Sequence, residues 1–125
     1  MEDVDQRDPH TYAIIGVGMQ VHNHLGFGFL EPVYHEAMTI EMTRAGIPFR
    51  RECALPIHYR GAVLECRYRA DFICFDDVLV ELKALTHLSG TEDAQVLNYL
   101  RASRIFKGLL LNFGTAKLGY KRFKL

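Results

Sequence analysis

Ile14, Val17, Val21 and Leu25 recur at three- to four-residue spacing, which puts apolar side chains on one face of an α-helix. Asp8-Pro9 supplies an N-cap and a proline that the first turn tolerates. Gly16 and Gly18 interrupt the pattern, each costing about 1 kcal/mol relative to Ala, and would allow close packing. Gly26-Phe27-Gly28 ends the helix, and with no strand before it this Gly-x-Gly reads as a turn and not a phosphate cradle. A second helix is predicted from near Glu31-Pro32 to about Ala45, with Gly46 as its stop. Val33, Ala37, Ile40 and Ala45 are expected toward one side of it.

Strand patterns follow. Phe49 to Tyr59 contains Pro56, which suits an edge strand or a bulge. Arg60-Gly61 reads as a hairpin turn, Ala62 to Phe75 as a long strand, Asp76-Asp77 as a turn and Val78 to Lys83 as a buried strand. Ser89-x-x-Glu92 is a capping-box pattern opening a third helix through about Ala102. Gly108 to Asn112 is a short apolar strand and Tyr120 to Phe123 a last one. No internal repeat, low-complexity tract or linker divides residues 1–125, so the expectation is one domain.

Charges stand out inside two of these apolar strands. Asp71 precedes Phe72, Ile73, Cys74 and Phe75, while Glu81 and Lys83 flank Leu82 after Val78, Leu79 and Val80. Strand interiors rarely hold charged side chains unless these are paired or bind a metal, because desolvating a lone ion is costly. Two acids and a lysine meeting at one spot suit metal-assisted phosphodiester cleavage. They equally suit a structural ion pair of Glu81 with Lys83 or an arginine at a sheet edge. Register separates the readings. Side chains share a sheet face only when directly opposite or an even number of residues away. A strict two-residue turn at Asp76-Asp77 sets Asp71 against Leu82, whereas a three-residue connection, Phe75 to Asp77, or a bulge sets it against Glu81.

Apolar residues make up 49% of the chain and charged residues 24%, an ordinary globular composition with no apolar run near the ~20 residues that span a bilayer. The acidic start, Met1-Glu2-Asp3-Val4-Asp5, is unlike a secretory signal, so a cytoplasmic location is expected. Formal net charge is zero, which excludes indiscriminate binding to nucleic acid; a grip on phosphate must come from local clusters such as Arg67 with Arg69, or Lys117 to Lys124 with Tyr120 and Phe123 interleaved. Cys53, Cys66 and Cys74 are odd in number and lack zinc-site spacing, and on strands they are expected as small buried apolar residues. His22-x-His24 has no further ligand at suitable spacing.

The order helix, three antiparallel strands, helix, strand, with Asp71 and Glu81-Leu82-Lys83 on the second and third strands, resembles the PD-(D/E)xK nuclease superfamily. Gly28-Phe29-Leu30-Glu31-Pro32-Val33-Tyr34 matches Gly-x-x-Glu-x-x-Tyr, the pattern of the GxxExxY family within it. With Ala70-Asp71, Val80 to Ala84, and Gln95-x-x-x-Tyr99, the likeness runs from about Tyr12 to Phe123. It departs from the family at Phe27, where proline is common, and at Glu92-Asp93, where a histidine commonly lies before Gln95.

The resemblance implies an α/β restriction-endonuclease-like fold, a mixed sheet flanked by helices. It implies a divalent-metal-dependent nuclease or phosphodiesterase, with nucleic acid as substrate and Mg2+ or Mn2+ as cofactor. Asp71 and Glu81 would ligate the ion with the Leu82 carbonyl, and Glu31 directly or through water. Lys83 would orient the attacking water or stabilise the transition state. Gln95 and Tyr99, one helical turn apart, would order the site or contact a phosphate. The rival class is a non-catalytic nucleic-acid- or protein-binding module that keeps the fold. So short a chain is further expected to act as a homodimer or beside a partner, without a membrane.

Overall fold

A computed structural model describes residues 8–125. In chain order these form α1 (Pro9–Leu25), α2 (Glu31–Arg44), β1 (Phe49–Tyr59), β2 (Ala62–Cys74), β3 (Val78–Lys83), α3 (Thr91–Ser103), β4 (Lys107–Asn112) and β5 (Gly119–Lys124). The strands make one sheet in the order β1-β2-β3-β4-β5. Neighbours are antiparallel except β3 and β4, which run parallel because α3 carries the chain back across the sheet. The α/β mixed sheet flanked by helices is thus observed.

Helices cover both faces. One core gathers Ile14, Val17, Tyr34, Met38, Phe72, Val80, Leu82 and Phe113 beneath α1 and α2. The other gathers Leu79, Val96, Leu100, Leu110 and Phe123 beneath α3. β3 and β4 are therefore buried on both sides, which is why they read as nearly continuous apolar runs. Two glycines let helices sit this close. A Cβ on Gly18 would lie 3.2 Å from Leu111 and Leu118, and one on Gly108 only 2.8 Å from Val96. Gly16, by contrast, faces open space.

Element boundaries follow the sequence closely, and the exceptions have physical reasons. Asp8 caps α1 through its carboxylate, which accepts from the His10 amide at 3.2 Å. On α2 the predicted face is largely wrong: of its four residues only Ala37 packs against the core, Val33 and Ile40 are exposed, as is Ala45 at the C-cap, and Tyr34, His35, Met38 and Met42 are the buried ones. The larger aromatic and thioether side chains fill the space over the sheet better than the β-branched ones. α3 is capped one residue late, at Gly90 with φ 93°; the Ser89 hydroxyl reaches only the first helical residue, donating to the Thr91 hydroxyl at 3.1 Å and accepting from the Thr91 amide at 3.4 Å. Half of the capping box survives, with the Glu92 carboxylate accepting from the Ser89 amide at 2.9 Å. β1 is the edge strand and its pairing shifts between Pro56 and His58, as the proline requires. Of the three cysteines Cys74 is buried and its thiol is pushed up to about 12 by burial, Cys53 is half-buried, and Cys66 is exposed, contrary to expectation. Cys66 lies toward the turn end of the β1–β2 hairpin, away from both hydrophobic cores.

The β2–β3 register is the decisive feature of the sheet. Cys74 pairs with Val78, Ile73 with Leu79 and Phe72 with Val80. The connection is therefore the three residues Phe75 to Asp77, with Phe75 and Asp76 in the left-handed region at φ 58° and 51°. Continuing the register sets Asp71 opposite Glu81.

Candidate active site

Beyond Phe72 and Val80 the regular pairing of β2 with β3 stops. Two carboxylates take over there. The Asp71 amide donates to Glu81 Oε1 at 3.0 Å, and the Leu82 amide donates to Asp71 Oδ2 at 2.8 Å. Glu81 is only 3% exposed, and burial, then the neighbouring Asp71 charge, push its carboxyl well above the usual carboxylate range. Lys83 lies two residues along β3 and its charge works in the opposite direction on Glu81. No ion pair within 4.0 Å joins Lys83 to either acid among the described residues. The geometry of a closed Glu81–Lys83 ion pair is not formed.

Glu31 arrives from the other side, as the first residue of α2. Its carboxyl is raised by burial and by Asp71, and lowered by Lys83, so all three charges act on one locality. The Gly-x-x-Glu-x-x-Tyr segment explains how Glu31 is placed. The Tyr34 hydroxyl donates to the Gly26 carbonyl at 2.7 Å and accepts from the Phe29 amide at 3.3 Å, while its ring stacks on Phe113 at 4.6 Å. Gly28, at φ 110°, takes the conformation that turns the chain into α2. The tyrosine thus pins the loop from within the core, and the glutamate emerges at a fixed point.

α3 brings the remaining sequence-predicted residues. Gln95 Nε2 donates to the Tyr99 hydroxyl at 3.0 Å, and the Tyr99 ring packs at 4.7 Å against Tyr68. Burial and then the Glu81 charge raise the Tyr99 phenol, which places it beside the acids.

Two residues escaped the sequence reading. His35, buried on α2, directs Nε2 at Asp71 Oδ1, 3.6 Å away, and its Nδ1 accepts from Arg51 Nε at 3.0 Å. Its ring stacks on Phe72 at 4.5 Å. The Arg51 bond fixes the tautomer with the proton on Nε2, facing the carboxylate. The signal was its position four residues after Glu31, on the same helix face. Asn112 is the second. Its Oδ1 accepts from the Leu85 amide and its Nδ2 donates to the Leu85 carbonyl, both at 2.9 Å, and the Phe113 amide donates to the Lys83 carbonyl at 2.8 Å. β4 thereby holds the chain where it leaves β3, directly after Lys83.

The carboxylates of Asp71, Glu81 and Glu31 do not draw together as a trio. Among the described residues, three metal-type donor atoms lie within 4.8 Å of one another at Asp8, His10 and Asp77 instead. That group already contains a cation. Lys107 Nζ donates to Asp8 Oδ1 at 3.2 Å and also pairs with Asp77, which His10 Nδ1 contacts at 2.7 Å. This cluster joins the start of α1 to the β2–β3 turn and the start of β4. The basic clusters are likewise separate. Arg67 and Arg69 lie on β2 and Lys121 to Lys124 on β5, three strand steps or about 14 Å apart across the sheet and further along the strands. Lys121 is paired with Asp93.

A profile of the PD-(D/E)XK nuclease superfamily matches residues 8–123. The chain belongs to that superfamily. Its fold also resembles the crystal structure of SSO0001, with a TM-score of 0.58 at 17% identity, across 75% of this chain and 50% of that one. The superfamily chain therefore spans about half the length of that protein, and the likeness concerns the fold alone. No curated protein matches the sequence. The superfamily is one of nucleases, whose members generally use divalent metals. No helix among the described residues is long and apolar enough to cross a membrane.

Proposed function

We propose that this chain is a divalent-metal-dependent nuclease, or related phosphodiesterase, of the GxxExxY kind. One observation carries the reading: Glu81, almost fully buried opposite Asp71, has a hydrogen-bonded carboxylate but no cation paired to it among the described residues. Two acids pressed together in a half-buried site are relieved by a hard cation, and an all-oxygen donor set suits magnesium or manganese. Asp71 and Glu81 would hold the ion with the Leu82 carbonyl, and Glu31 directly or through a water. The bound ion would lower the pKa of its water and neutralise phosphate charge. Lys83 aligns the attacking water or the transition-state oxygen. Gln95 and Tyr99, already bonded to one another, order the site or hold the phosphate. His35 and Arg51 keep Asp71 oriented.

The test combines manganese calorimetry with a panel of labelled DNA and RNA strands, single and double, incubated with and without manganese. Binding that Asp71→Ala or Glu81→Ala abolishes, together with metal-dependent cleavage, is expected. Undiminished manganese binding in both variants refutes the site. Metal binding without cleavage of any strand returns the chain to the binding-module class. Sedimentation of the protein with and without nucleic acid tests the expected homodimer.

A further inference from the structure

A cleft of about 400 Å³ lies between α3 and the β1–β2 hairpin, lined by Ile57, His58, Tyr68, Asn98, Arg101 and Arg104. A second, of about 270 Å³, begins at Gln95 and Tyr99 and shares Tyr68 and Asn98 with the first. Together they make one groove leading away from the acids along α3. No carboxylate lines either cleft among the described residues, whereas two arginines and a histidine line the far end.

The groove combines what an unpaired nucleotide needs. Tyr68 lines both clefts and offers an aromatic surface, half-buried and already packed against Tyr99. Bases stack on such rings whatever their identity. Asn98 uses its Oδ1 to accept from Arg101 at 2.9 Å, which leaves its amide N–H groups for a base edge or sugar. Arg101 and Arg104 are exposed one turn apart at the end of α3 and present cationic forks suited to phosphate. Clefts of a few hundred cubic ångströms match one small molecule and do not admit a duplex.

We propose that this groove is a subsite for single-stranded nucleic acid, seating an unpaired nucleotide beside the cleavage site with its base on Tyr68 and its phosphates at Arg101 and Arg104. The inference rests on the nuclease reading for the direction of the strand, but binding can be measured without turnover. The probes are fluorescein-labelled dT12 and U12 strands and a 12-base-pair DNA duplex, followed by anisotropy in EDTA. Arg101→Gln with Arg104→Asn is the chosen variant, because both positions are exposed and asparagine accepts the left-handed backbone of Arg104, φ 62°. Single strands should bind more tightly than the duplex, and the double variant should weaken them about ten-fold. It should also flatten the salt dependence by about 1.4 in slope, two contacts at roughly 0.7 each. Asn98→Ala should weaken binding further. Preference for the duplex, or single-strand affinity unchanged by these variants, overturns the subsite. If manganese-dependent cleavage persists in that case, the nuclease reading stands alone. If groove-dependent binding is found and no cleavage occurs, the nuclease reading falls and the subsite stands.

Discussion

Asp71 and Glu81 face one another across β2 and β3, and each carboxylate accepts a backbone amide of the opposite strand. Side chains here take the place of ladder carbonyls. The two strands can therefore diverge at this point while their backbone donors stay satisfied. The fork that results is reached by Glu31 and His35 from α2 and by Tyr99 from α3.

Without metal, the repulsion in this fork should be measurable as stability. Glu81 is raised in the folded protein above its ordinary value of 4.5, so the folded state keeps a proton that the unfolded chain releases. Its contribution is fully present below about pH 4.5 and is lost as pH rises toward the raised folded value. Glu81→Gln keeps an oxygen to accept from the Asp71 amide and carries no charge. Thermal melts in EDTA should show the variant about 1–3 kcal/mol more stable at pH 8, with the gain vanishing near pH 4. A variant less stable at pH 8 would contradict the assignment.

Lys83→Ala should lower cleavage by about 10²–10⁴-fold while leaving manganese affinity nearly intact, because an ammonium is not a ligand. Lys83→Arg should not rescue it fully, since guanidinium keeps its proton near neutral pH and differs in shape. Steady-state rates and calorimetry on both variants separate these effects. Wild-type turnover in either would make Lys83 structural.

His35 should act through Asp71. Removing an outer partner of a metal ligand typically costs about 10–100-fold in metal affinity. His35→Ala is expected to show that loss in manganese calorimetry, and a stability loss of about 1–3 kcal/mol from the Arg51 hydrogen bond and the Phe72 stacking. His35→Gln, whose amide can still donate toward Asp71, should recover part of the metal affinity. Equal affinity in wild type and His35→Ala would confine the residue to packing.

Gly114 is the glycine least tolerant of an added Cβ among the described residues. A Cβ there would lie 2.3–2.5 Å from the Leu85 backbone, which Asn112 clamps on both sides. Gly114→Ala should cost more than about 2 kcal/mol in urea unfolding and displace the chain that leaves Lys83. Gly16→Ala, with nothing within 4 Å, should be neutral or slightly stabilising.

The Asp8–Lys107–Asp77 cluster sets a second pH dependence. Burial alone would raise both carboxyls, but the Lys107 ammonium outweighs it and holds them below 3.8, while the acids hold Lys107 above 10.5 despite its burial. The acids' contribution is present above about pH 4 and lost as pH falls through their lowered values. The lysine's is present below about pH 10.5 and lost above its raised one. Lys107→Met should remove about 1 kcal/mol on the neutral plateau, a modest value because Asp77 is partly solvated. Urea titrations at pH 3, 7 and 9 would show it, with the smallest difference at pH 3. A loss confined to pH 3 would contradict the cluster.

The sequence by itself determined the elements and their order, because periodicity, Gly46, Arg60-Gly61 and the acids within β2 and β3 are local signals. It even stated the condition on register: three connecting residues bring Asp71 opposite Glu81, and the structure has Phe75 to Asp77 there. It could not choose between two and three residues, since two left-handed residues at Phe75 and Asp76 are tolerated only within the packed turn, where His10 stacks on Phe75 at 4.0 Å. The buried face of α2 was misread for a related reason. Hydrophobicity alone favoured Val33 and Ile40, but which face is buried depends on the shape of the sheet beneath. His35, Asn112 and the groove along α3 came only with tertiary structure. Each depends on residues distant in sequence, Arg51 with His35, Leu85 with Asn112, and Tyr68 with Asn98, whose proximity no local pattern encodes.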